Sequence, residues 1–232
     1  MVTCREDAPI FVRLRPRAEL APYVACVWYS DERARREPRP ARERVLPTGR
    51  ADLVVRLEGE PICALASAQD PGGTSVGHAA ISGMRARHHV RDVARPSCTL
   101  GVHFRAGGLS ALLGLPSDEL AGRHTALAEL WGDAAHDLRE RLRALHGVRA
   151  RLALLEDELV ARRQRRPGLP PQVARYLASF AAGAPLPVGA WARAEGQSRR
   201  HLIELFRRSV GLTPKLFARV QRFQAVVRRA AA

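Results

Sequence analysis

The chain has 232 residues, 46% of them hydrophobic, with 38 Lys and Arg against 23 Asp and Glu and a formal net charge of +15. That apolar share excludes a disordered chain, and the length accommodates one large domain or two modest ones. No run approaches the ~18 apolar residues of a membrane span, and "MVTCREDAPIF" lacks the charged start and apolar stretch of a secretory leader, so the expectation is a cytoplasmic protein away from membranes.

Elements are expected in two styles. From about residue 20 to 105 the apolar runs are short and strand-like: "YVACVWYS" (23–30), "ADLVVRLEG" (51–59), "PICALAS" (61–67), "GHAAISGM" (77–84), "HHVRDV" (88–93) and "CTLGVHFRAGG" (98–108). Turn clusters such as "DPGG" and "RPS" separate them, which predicts a small antiparallel sheet or barrel. The charged, Pro-containing "ERARREPRPARER" (32–44) reads as an exposed loop, and "LPTG" (46–49) as a turn. After Gly108 the period becomes helical: Leu109, Leu112, Leu113 and Leu115 make a short turn, 125–147 reads as one helix ended by Gly147, and 148–164 as another. "RRPGLPP" (165–171) breaks helices and marks a linker. Residues 172–232 then hold four helix-like pieces. The fold class is therefore α+β: an antiparallel β domain with a helical tail (1–164), a linker (165–171) and an all-α module (172–232).

Charge divides at the same place. Residues 162–232 carry 15 Arg and Lys and only two acids, Glu195 and Glu204, whereas the preceding residues are nearly neutral. A polycationic module attached to a neutral domain points to a polyanion as the partner of the former. The four cysteines are scattered without C-x-x-C or Cys/His ligand spacing, so they read as reduced thiols and no metal is expected.

The stretch "VGAWARAEGQSRRHLIELF" (188–206) carries the pattern of a helix-turn-helix. Trp191 and Ala192 lie on a short first helix, Gly196 suits the tight turn, and Ser198 suits the N-cap of the second helix. Leu202, Leu205 and Phe206 recur at helical spacing on the inner face, while Arg200, Ile203, Glu204 and Arg207 take the outer one. A second helix of this kind enters the DNA major groove. Arg199 and Arg200, near its N-terminus, are candidates for guanine or phosphate. Ser198, Arg207, Arg208, Lys215, Arg219 and Arg222 are candidates for phosphate contacts, which set affinity and orientation but not sequence.

"SRRHLIELFRRSVGLTPKLFARVQRFQ" is similar to the first helix-turn-helix and linker helix of AraC/XylS-type transcriptional regulators, with its Ser-capped recognition helix, "LFRRSVG" ending and "GLTPK" break. "LAPYVACVWYS", "RVLPTGRADLVV", "ISGMRARHHV", "LGVHFRAGGLSALLGLPSDEL" and "LAELWG" resemble an uncharacterised sensory domain that precedes this module in a bacterial subgroup. The resemblance implies double-stranded DNA as partner, base contacts at Arg200, Ile203 and Glu204, a small-molecule effector or dimer contact at the N-terminal domain, and a cytoplasmic, nucleoid-associated protein. Two departures stand out. Ile203 offers only apolar contact, and Glu204 repels phosphate unless it accepts from cytosine or pairs with Arg200 or Arg208. Glu195 and Gln197 also flank Gly196 where small or apolar residues are usual, which predicts looser packing of the first helix. The family carries two helix-turn-helix units, and the sequence to Ala232 holds one with its linker helix, so it reads as a C-terminally shortened member.

Other motifs read as structure. "HFRAGG" can offer Arg105 and backbone N–H groups to an anion, but a bend at Gly107 and Gly108 is the favoured reading. His88–His89 reads as surface or satisfied strand histidines. No phosphate loop, paired carboxylates, nucleophile motif or metal spacing marks an enzyme, and no cofactor is expected. The alternative to a working regulator is a shortened, non-specific DNA binder that dimerises through residues 1–160 and modulates a full-length partner.

Overall fold

A computed structural model describes residues 10–35, 41–163 and 168–230. Its first part is a six-stranded antiparallel sheet in the order β1-β2-β9-β4-β7-β10. These strands are β1 (Ile10–Leu14), β2 (Val24–Asp31), β4 (Asp52–Glu58), β7 (Ala79–Ser82), β9 (Cys98–Phe104) and β10 (His124–Ala126). Two small ribbons accompany it: β3 (Arg42–Val45) with β8 (His89–Asp92), and β5 (Cys63–Ala64) with β6 (Thr74–Ser75). The fold is α+β, as the two periodicities predict.

Period-2 alternation assigns the sheet's two faces. Leu53, Val55 and Leu57 of β4, with Leu100, Val102 and Phe104 of β9, are all but fully buried in one apolar core. That face is covered by helices: α1 (Gly108–Leu113), α3 (Leu127–Trp131), α4 (Asp133–Ala144) and α5 (Val148–Arg163). Leu138 and Leu142 of α4 and Leu152, Leu155 and Leu159 of α5 supply the heptad-like stripe that meets the strands. Arg139 fastens α4 to the sheet, its guanidinium donating to the carbonyls of Arg56 and Leu57 at 2.8 and 3.1 Å.

Some elements differ from the sequence reading. The stretch 125–147 is not one helix. Gly132, at φ 59 and ψ −140, separates α3 from α4, and 124–126 is the edge strand β10. The loop expected over 32–44 contains β3, because Arg42–Val45 pairs with β8; residues 36–40 lie outside the described part. The expected strand 61–67 is reduced to the two-residue β5, with Leu65 adding an isolated bridge to Val90 of β8. Cys26, Cys63 and Cys98 are free thiols, and Cys4 lies outside the described residues. Residue 164 and residues 165–167 of the expected linker also lie outside, and Pro171 already opens the next helix.

The second part comprises α6 (Pro171–Ala181), α7 (Val188–Glu195), α8 (Arg199–Val210) and α9 (Pro214–Ala230). A tight aromatic cluster joins them: Tyr176 stacks on Trp191 at 4.1 Å, and Phe206 meets Tyr176 and Phe217 edge-on at 5.5 and 5.6 Å. This core is not closed by its own helices. Met84, 2% exposed, and the half-buried Ala86 and Ala106 come from loops of the β domain. Helix α8 rests on α1 and on the short α2 (Ser117–Leu120).

Candidate nucleic-acid interface and cavity

The turn between α7 and α8 has the local chemistry its sequence predicts. Gly196 caps α7 in the left-handed region at φ 63, and Ser198 caps α8 by accepting from the His201 N–H at 3.2 Å. On α8, Leu202, Phe206 and Val210 are buried, and Leu205 is half-buried. Arg199, Arg200, Glu204, Arg207 and Arg208 are exposed, with Ile203 half-exposed between them. The amphipathic split is the one a recognition helix needs, with its core face locked and its polar face in solvent.

The predicted readers divide on closer inspection. Arg200 is exposed and makes no hydrogen bond or ion pair among the described residues, whereas Arg199 folds back across α7, where a Cβ on Gly189 would stand 2.8 Å from its Nη2. Glu204 is neutralised within the helix, but by Arg207 at 2.9 Å rather than by Arg200 or Arg208. That pairing holds the Glu204 carboxyl below the usual carboxylate range. Arg207 also reaches Asp118 of α2 at 3.2 Å, so this candidate phosphate ligand is engaged by the β domain. Arg208, Lys215, Arg219 and Arg222 are exposed on α8 and α9. Ser198 is exposed, with its Oγ already serving the cap. Glu195 does not loosen the first helix. It clamps α7 to α6 through Arg175, whose Nε donates to it at 3.0 Å, while the Gln197 Oε1 is buried without a partner.

Beyond Arg207–Asp118, further contacts join the two parts. The Ser110 hydroxyl of α1 donates to the Ser209 carbonyl at 2.8 Å, and the Gln224 amide of α9 donates to the Pro47 carbonyl at 2.8 Å. The "LPTG" segment, read as a turn, is an irregular stretch that bends at Gly49 (φ 69), and it docks on α9. "HFRAGG" is also structural. The Arg105 Nε donates to the Ala21 carbonyl at 2.8 Å, and Gly107 takes the left-handed conformation before α1.

A cavity of about 830 Å³ opens on the sheet face opposite the helices, closed over by the β3–β8 ribbon and the segment through Pro61. Sequence reasoning did not find it, because its lining is set by strand register. His124, Ser82, Asp52 and His103 face one another in one row across β10, β7, β4 and β9. The next cavity-side row is Trp28, Gly101, Val54 and Ala80, and the third joins Ser30, Thr99 and Arg56. His103 Nδ1 lies 2.5 Å from Asp52 Oδ1 and stacks on Trp28 at 5.8 Å. His89, read from sequence as a surface or strand histidine, lines the cavity edge-on to His124 at 5.3 Å. Burial, with the positive charge of Arg85, pushes both rings down to about 4, so they are neutral near pH 7. Among the described residues no group of three or more His, Cys, Asp or Glu is placed to hold a metal ion, and no helix is long and apolar enough to cross a membrane.

A family model described as a domain of unknown function (DUF6597) matches residues 12–126, which run from β1 through β10. Among solved structures, the crystal structure of the AraC-like transcriptional activator CuxR is similar over 94% of this chain and 95% of that one, at 15% identity and a TM-score of 0.29. A superposition this loose transfers no residue roles. No curated protein matches the chain.

Proposed function

We propose that the protein is a non-catalytic, sequence-specific transcriptional regulator of the AraC type that reads double-stranded DNA in the bacterial cytoplasm, at the nucleoid. Helix α8 enters the major groove, and the β domain senses a small-molecule effector. The observation that carries this reading is the build of α7–α8: a left-handed glycine turn, a Ser-capped helix, a core face fixed on Trp191 and an open face led by Arg200. Arg200 and Ile203 read base edges, with Arg199 swinging off α7 to join them. Arg208, Lys215, Arg219 and Arg222 hold phosphates. Glu204 serves mainly to position Arg207. A footprint on the DNA upstream of the chain's own gene tests this: protection confined to a short segment and lost in Arg200→Ala supports it, and even coating along the fragment refutes it.

A second reading rests on Glu204. An acid in the centre of the reading face, with Arg207 tied to it and to Asp118, lowers the face's positive charge. The chain is then a non-specific DNA binder that pairs through its β domain with a copy of itself or a full-length regulator. The edge strand β1, with Phe11 67% exposed, has no further strand beside it among the described residues and offers its outer edge for such a contact.

A further inference from the structure

The three rows on the cavity face have different chemistry. The central row is flat and apolar. Trp28 lies against Gly101, where an added Cβ would stand 2.8 Å from the indole Cζ2, and Val54 and Ala80 continue the strip. On one side stands the Asp52–His103 pair. On the other stands Arg56, beside the hydroxyls of Thr99 and Ser30.

Arg56 is the group in want of a partner. Its Nη1 donates to the carbonyls of Glu60 and Pro61 at 2.8 and 3.4 Å, but its Nε has no acceptor and no carboxylate of the described residues forms an ion pair with it. Of the four acids that line the cavity, Asp52 is engaged by His103 and Glu60 by Arg95, while Glu32 and Asp92 favour the Arg56 charge electrostatically without an ion pair to it. Arg35 lines the same space with its own Nε unpartnered. Burial lowers the Arg56 pKa, the mark of a desolvated cation. Such a charge is costly until an anion meets it. On the opposite side Asp52 Oδ1 is taken by His103, and the carboxylate keeps capacity to accept from a ligand donor.

Register sets the ligand's length. Asp52 and Arg56 are four residues apart on one strand, about 14 Å at ~3.4 Å per residue. Two hydrogen bonds of ~2.8 Å leave roughly 8 Å between the ligand's polar ends, the span of a substituted bicyclic ring. The cavity volume is in the range of small-molecule sites.

We infer that this cavity binds a planar aromatic carboxylate bearing a hydroxyl at its far end: ring over Val54 beside the Trp28 indole, which already covers Gly101, carboxylate on Arg56, hydroxyl donating to Asp52. The inference rests on the sensory reading of the β domain and gives it a ligand class. It does not rest on DNA recognition.

Calorimetric titration of the full chain, without DNA, tests it with four probes: 6-hydroxy-2-naphthoate, 2-naphthoate, 2-naphthol and glucose. The expected result is saturable binding of hydroxynaphthoate, at least tenfold weaker binding of either probe lacking one polar group, and none of glucose. Arg56→Gln weakens both carboxylates at least tenfold and leaves 2-naphthol unchanged, while Arg56→Lys restores most of the loss, which separates lost charge from lost folding. Asp52→Asn weakens only the hydroxylated probes. Binding of 2-naphthoate or 2-naphthol as tight as that of hydroxynaphthoate, indifference to Arg56→Gln, preference for glucose, or no saturable binding of any carboxylate overturns the inference. Ligand binding without any DNA preference sinks the regulator reading alone, and DNA preference without carboxylate binding sinks this one alone.

Discussion

Met84→Ala is the sharpest probe of how the two parts are joined. Met84 belongs to the β domain, just beyond β7, yet it is 2% exposed and packs in the helical module's core with Leu212 and Val210. Its Cβ would lie 3.4 Å from a Cβ placed on Gly211, directly behind α8. Losing the transfer energy of a buried Met costs about 1.5–3 kcal/mol, and the void raises buried Met→Ala changes to roughly 2–5 kcal/mol. Because the site sits at a junction where Ala86 and Leu212 can close in, the lower part of that range, about 2–3 kcal/mol, is expected. This corresponds to roughly a 30- to 150-fold loss of protection in native-state hydrogen exchange. The assay is exchange read by mass spectrometry on peptides from α8 and α9, with β2 and β9 as internal reference. The account predicts that α8 and α9 lose protection by that factor although the substitution lies in the β domain. Loss confined to β7 and its sheet neighbours would refute a shared core.

Three further outcomes follow from named contacts. Ser198→Ala removes the acceptor for the His201 N–H and should cost about 1 kcal/mol in urea unfolding, with weaker DNA binding as the first turn of α8 frays. Asp118→Asn releases Arg207 from the β domain, so the salt dependence of DNA binding should steepen by about one phosphate contact, a slope change near 0.9 on a log–log plot. His89 and His124 titrate near 4 in the folded chain and near ~6.5 when unfolded, so the unfolded state binds more protons between those values. Stability is therefore full above pH ~6.5 and falls as pH drops toward 4, and His124→Gln should flatten the fall seen in thermal melts from pH 7 to 4.

The sequence spoke most clearly where periodicity was long and local. The alternation of "DLVVRLE" announced β4 and its two faces, and the capped, amphipathic α8 was readable from Gly196 to Val210. It was silent where structure depends on pairing. β10 is three residues long, and its helix-like surroundings concealed it until Gly132 broke the run. β3 carries charges because it lies in a two-stranded ribbon, exposed where a core strand would be apolar. The cavity's rows unite residues as distant as Trp28 and Ala80, and only register reveals that His124, Ser82, Asp52 and His103 share a line. The joint between the parts was hidden for the same reason. Met84, Asp118 and Ser110 look like ordinary domain residues until α8 is laid against them.

That joint also lies close in sequence to the cavity. Ser82 ends β7 two residues before Met84, and His103 precedes Ala106 by three, so the cavity's polar row and the α8 core draw on the same two chain segments. The most direct test of DNA reading is fluorescence anisotropy of the full chain on its own upstream DNA and on a shuffled duplex of equal composition, titrated across salt, with Arg200→Ala alongside. The account predicts at least a tenfold preference for the native duplex, about 1.4 kcal/mol, that Arg200→Ala abolishes while salt-sensitive background binding persists. Equal affinity for both duplexes, fading together as salt rises and unchanged by Arg200→Ala, would contradict it.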